Sequence, residues 1–204
     1  MWNLFLEVFS RTLNQQAKPV TVGFLGNLAI AAAILVFMYA TTFNPENVNA
    51  FYVMVLLLIG GISLGVGMVG LRFEAFDTKR LFETVLWSLL SFTMIFIVNR
   101  AVPIRIGISP VGETMFAILA GVAEECFFRL WLCTVTFKFT KSMVIAIIVS
   151  SLSWTVYHIQ RYGGNWNVLL IIFGAGCVQG WIMLQSQMGD GPIFGHMLVN
   201  AIAR

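Results

Sequence analysis

The sequence predicts an all-α fold: a polytopic transmembrane helical bundle of about six to seven membrane helices with an N-terminal interfacial helix. Three observations lead there. The 204 residues are 59% hydrophobic and only 10% charged, against roughly 25% charged in an ordinary soluble domain, and the mean hydropathy is +0.88. The apolar residues gather into long runs, each close to the roughly 17–25 residues that a helix needs to cross a bilayer. The basic residues fall mostly between those runs, where topogenic charges belong. The net charge of +3 is small and does not point to nucleic acid.

Residues 1–20 read as an amphipathic segment. Trp2, Phe5, Leu6, Phe9 and Leu13 recur at helical spacing, while Asn3, Glu7, Arg11 and Asn14 fall opposite. That pattern suits a helix lying on the membrane surface. Glu7 interrupts the apolar run and no basic region precedes it, so the segment does not read as a signal peptide. Residues 21–204 read as a single transmembrane helical domain, with a motif core at 115–204. The expected spans are Phe24–Phe43, Phe51–Leu71, Leu81–Val98, Met115–Phe137, Ser142–Ile159 and Trp166–Ser186. The final segment, Pro192–Ala203, is too short to cross unaided and reads as a half-helix buried among the others.

Orientation follows from the loops. Arg11, Lys18, Arg72, Lys79, Arg80, Lys138 and Lys141 fall on one side, and Arg100, Arg105, Arg161 and Arg204 on the other. The bias places the N-terminus in the cytoplasm of a multi-pass protein of the cell membrane. Gly61-x-x-x-Gly65 and Gly176-x-x-x-Gly180 set small residues on one helix face, where they let helices approach closely. Gly65-x-Gly67-x-x-Gly70 matches a dinucleotide-binding pattern by letter, but it sits in an apolar run with no strand before it. The cysteines, Cys126, Cys133 and Cys177, form no C-x-x-C pair and read as reduced core residues.

The charge that lies within the apolar runs is the informative part. Glu124, Glu125 and Arg129 stand in the middle of Met115–Phe137. Three ionised groups at bilayer depth would cost on the order of 7–10 kcal/mol if nothing compensated them. A whole domain is stable by only about 5–15 kcal/mol, so these charges must pair, be hydrated, or both. Glu125 and Arg129 are four apart and share a helix face. Glu124 is turned about 100° away, so the two carboxylates meet different surroundings and can take different tasks. The chain has only two histidines, His158 and His196, both in apolar segments downstream. Trp154 and His158 are four apart, as are His196 and Asn200.

Such residues suit peptide hydrolysis: a glutamate takes a proton from water, the water attacks a carbonyl, and hydrogen-bond donors hold the oxyanion. Other membrane-protease chemistries lack their residues. No H-E-x-x-H is present, and the only aspartates, Asp77 and Asp190, lie at span ends.

Glu124-Glu125-x-x-x-Arg129, Trp154-x-x-x-His158 and His196-x-x-x-Asn200, taken in order, resemble the three motifs of the CAAX prenyl protease type II family, the CPBP (Rce1-like, Abi) group of intramembrane proteases. The resemblance runs from Glu124 to Asn200. It implies a helical bundle with its site in a cavity open to water. It implies Glu124 as the activator of water with help from His158, and His196 with Asn200 as the oxyanion hole. Glu125 and Arg129 would orient and charge-balance the site, and Trp154 would take an aromatic place often held by phenylalanine. The substrate would be a membrane-embedded or lipidated peptide, a leader peptide or a transmembrane segment, met in the lipid bilayer. The trimmed bundle also admits a partner membrane protein. No cofactor is expected on this reading; a divalent metal such as zinc on Glu124, His158 and His196 is the alternative. Two further readings stand beside the protease: a non-catalytic scaffold or immunity-type protein of the same fold, and an ion- or proton-coupled carrier. Carriers often show matched internal halves; here the polar residues lie only in the C-terminal part.

Overall fold

The computed structural model describes residues 20–43, 48–73, 78–100 and 111–202. Over them the chain is mostly helical, as its patterning predicts. Helix α1 is Phe24–Phe43 and α2 is Val48–Leu64, which runs on into a π-helical turn, Gly65–Val69. Gly70 stops that run with a left-handed φ of 71°, the conformation that ends helices and that glycine adopts without strain. Helix α3 is Thr78–Arg100. Helix α4, Val111–Glu124, continues through a π-helical stretch, Glu125–Cys133, into α5, Thr134–Thr140. Helices α6 (Met143–Tyr162), α7 (Trp166–Ser186) and α8 (Asp190–Ile202) complete the order. Ser142 and Asn165 cap α6 and α7, accepting from the amides of Ile145 and Val168, as short polar side chains do at helix starts.

Among the described residues, two helical stretches, Tyr52–Val69 and Trp166–Ser186, are long and apolar enough to cross a membrane. Leu25–Leu35, Val85–Ile97 and Met143–Ile159 are shorter apolar stretches. Leu35, Leu56, Ile97, Val156 and Leu170 stand exposed on α1, α2, α3, α6 and α7. A soluble monomer rarely exposes apolar surface on so many faces; hydrocarbon around the bundle accounts for it.

Two features depart from the sequence reading. The fold is not purely helical: Thr21–Val22 (β1) pairs in parallel with Arg72–Phe73 (β2). The chain enters α1 and leaves α2 at one end of the bundle, where backbone groups outside helices need partners. The α7–α8 turn joins them, with Thr21 N donating to Gln187 O at 3.0 Å and Gly189 N to Thr21 O at 2.8 Å. The last helix also begins earlier than Pro192, at Asp190. Proline is tolerated there because first-turn amides have no helical partner. Asp190 is fully buried and accepts from the amides of Gly23, at 2.8 Å, and Gly26, so one carboxylate caps the start of α1 from the start of α8. The expected interfacial helix within residues 1–20, up to Pro19, lies outside the described residues, as do Arg11, Lys18, Arg105 and Arg204.

The site-bearing segments are held by close backbone approach. Helix α8 packs extensively on α3 and α4, and α6 on α7. A Cβ at Gly61 would lie 2.5 Å from the Cys126 carbonyl oxygen and 2.6 Å from the Phe127 nitrogen, so α2 touches the backbone directly after Glu125. Gly176 is similarly tight against Ser151 and Trp154, its Cβ falling 3.0 and 3.1 Å from their atoms. The two small-residue pairs of the sequence thus mark helix contacts that press on the motif core. Valine at Gly61 forces backbone apart. Gly61→Val is expected to destabilise the fold by about 1–3 kcal/mol or more, read as a lower midpoint in detergent unfolding.

Candidate functional site

The site grows from the joint between α4 and the π-helical stretch. Glu124 is the last residue of α4, and Glu125 the first of the wider turn that lasts to Cys133. Such turns are rare, usually short, and frequent at functional positions. Here hydroxyls serve carbonyls along the stretch: Ser150 Oγ donates to Phe128 O at 2.7 Å and Thr134 Oγ1 to Arg129 O at 3.2 Å.

At this joint the carboxylates part company, as their spacing predicts. Glu124 faces α6. Trp154 Nε1 donates to Glu124 Oε2 at 2.7 Å, and His158 Nε2 stands 3.8 Å from the same oxygen. Glu125 faces α8, and His196 Nδ1 lies 2.8 Å from its Oε1. Each glutamate therefore has its own histidine. His158 Nδ1 lies 2.9 Å from the Trp154 carbonyl oxygen. A carbonyl only accepts, so Nδ1 carries the proton and Nε2 turns toward Glu124.

Burial separates the two pairs. Glu124 and His158 retain 6% and 9% exposure, whereas Glu125 and Arg129 have none. Arg129 Nε lies 3.4 Å from Glu125 Oε2, and its guanidinium sits 4.2 Å from the centre of the Trp154 ring. The carboxylate on one side and the electron-rich face on the other offset part of the cost of a sealed cation, whose three nitrogens make no hydrogen bond among the described residues. The indole also meets both imidazoles edge to face, with centroids 4.9 Å from His158 and 5.5 Å from His196.

Four motif residues, Glu124, Arg129, His158 and His196, thus meet the Trp154 indole, and Glu125 joins them through Arg129 and His196. Asn200 is set apart. Helix α8 runs against α4, so His196 faces Glu125 while Asn200 falls one turn away, its Nδ2 donating to Ala117 O at 3.1 Å. It shares the face of His196, as the four-residue spacing predicts, but one of its amide hydrogens is engaged by backbone. The donor geometry also bears on the zinc alternative. His196 is turned to Glu125 rather than to Glu124, and among the described residues no three His, Cys, Asp or Glu side chains gather to hold one ion. The set of Glu124, His158 and His196 does not fit a shared metal in this arrangement.

Sequence reasoning missed two things. Trp154 enters there as an aromatic place-holder, yet its N–H is a direct partner of Glu124. The signal was the residue type itself, since indole carries a donor that phenyl lacks. It also missed Tyr157 and Tyr162, whose rings lie 5.3 and 6.0 Å from the His158 ring. Cys126 and Cys133 are buried and unpaired, as core residues should be.

Residues 106–202 match the family described as type II CAAX prenyl endopeptidase, Rce1-like. All three motifs lie within the matched residues. The family is a membrane-embedded protease family. No curated protein and no solved structure matches the chain significantly.

The buried pair allows a direct test. Breaking a buried pair by removing one partner typically costs about 3–5 kcal/mol, and without Arg129 the buried Glu125 keeps only His196 beside it. Arg129→Met is expected to destabilise the protein by that order, and Glu125→Leu added to it to recover much of the loss. Chemical unfolding of the two variants beside the parent, in one detergent, measures both steps.

Proposed function

We propose that the chain is an intramembrane endopeptidase that hydrolyses a peptide bond in a membrane-associated substrate by glutamate-activated water. The observation that carries this reading is the Glu124–His158 pair, slightly exposed, beside a fully sealed Glu125–Arg129 pair. One carboxylate can reach water while the other is tied into the frame.

In the proposed reaction Glu124 takes a proton from water as the water oxygen attacks the scissile carbonyl carbon. His158 Nε2, beside Glu124, orients that water. The carbonyl oxygen becomes an oxyanion. His196, held at Nδ1 by Glu125, and the remaining hydrogen of the Asn200 amide supply the hydrogen bonds to it. Glu124 then passes its proton to the leaving amine, the C–N bond breaks, and the site is restored. No step calls on a metal.

The setting is proposed with the chemistry. About six to seven helices span the cell membrane, the N-terminus is cytoplasmic, and the substrate arrives laterally through the bilayer or from its surface. The family description favours a lipidated C-terminal tail over a leader peptide or a transmembrane segment, and the bilayer setting admits a partner membrane protein.

Purified protein in proteoliposomes is expected to cleave a quenched fluorescent farnesylated peptide ending in a CAAX sequence. Glu124→Ala and His158→Ala should each lower turnover at least about a hundredfold, within the range that general-base catalysis supplies, while leaving the helical circular dichroism unchanged. A chelator should leave the rate as it was. Parent-like cleavage by Glu124→Ala would remove Glu124 as the base.

A further inference from the structure

The geometry points to Trp154 as a positioning residue that holds one oxygen of Glu124 and ties it to Arg129. This rests on the proposed role of Glu124 as base. The indole does three things at once. Its N–H donates to Glu124 Oε2 at 2.7 Å. Its face takes the Arg129 guanidinium at 4.2 Å. Its edges border both histidines. It is 4% exposed, so these contacts are held in a dry, closely packed place, with Gly176 of α7 behind it.

The consequence is an asymmetry within one carboxylate. Both polar contacts of Glu124, from Trp154 and from His158, converge on Oε2. That oxygen is fixed, and the carboxylate cannot spin about its terminal torsion without losing the indole bond. Oε1 is thereby the oxygen that meets water. The cation over the ring withdraws density from the indole and makes its N–H a stronger donor. Arg129 therefore acts on both carboxylates: directly on Glu125 at 3.4 Å, and on Glu124 through the ring. Phenylalanine in this place would keep the packing and the cation contact but could not hold Glu124.

Trp154→Phe separates the bond from the bulk. It is expected to lower kcat about ten- to a hundredfold, as loss of a partner that orients a reacting group does, with KM for the farnesylated CAAX peptide nearly unchanged. A role in packing alone predicts a parent-like kcat. The indole itself gives a readout that needs no substrate. With 15N-labelled tryptophan, the six indole signals expected lose one in Trp154→Phe, which assigns it. In Glu124→Leu that signal should move upfield, because its acceptor is gone. An unmoved Trp154 signal in Glu124→Leu, or a parent-like kcat in Trp154→Phe, overturns the inference. Failure of the parent protein to cleave any peptide would instead defeat the proposed function, and the indole signal would still decide whether Trp154 holds Glu124.

Discussion

An arginine without any exposure to solvent organises this molecule. Arg129 lies against Glu125 on one side and the face of Trp154 on the other, in a helical segment that is largely apolar. A lone guanidinium there would cost several kcal/mol, so its two neighbours are not optional. Once they are fixed, much else follows. Glu125 is committed to the frame, His196 is drawn to Glu125, and the indole is turned so that its N–H meets Glu124.

The wide turn after Glu124 is the backbone's share of this arrangement. A regular α-helix already turns adjacent residues to different faces. The π-helical stretch begins at Glu125 and carries Arg129 within it, so both members of the sealed pair sit on the widened backbone while Glu124 does not. Outside hydroxyls, from Ser150 and Thr134, bond to its carbonyls. Gly61 lets α2 close against it. A side chain at that glycine would push on the backbone that orients Glu125, which is why a packing residue far from any chemistry bears on the site.

The far end of the bundle is tied by different means. Asp190 spends its carboxylate on the first amides of α1, and the short β pair and the α7–α8 turn bond around it. This anchors α8 at its start, six residues before His196. The last helix is short, but it is held at its N-terminus by Asp190 and along its length by α3 and α4.

Hydrophobic runs, the charges within them and the three spaced motifs are local features, so the sequence alone determined a mostly helical, apolar chain, the seven motif residues from which the cluster is drawn, and the divergence of Glu124 from Glu125; that Asn200 stands one turn apart from the other six it did not determine. Spacing along one helix could do this because it is a geometric property of that helix. Which histidine answers which glutamate could not be read that way, since His158 and His196 come from different helices and their distances depend on how α6 and α8 pack on α4. The same holds for the indole bond to Glu124, the backbone partner of Asn200, the reach of Asp190 and the small β pair. Each joins segments far apart in the chain, and only packing, which sets angles and separations between helices, decides them.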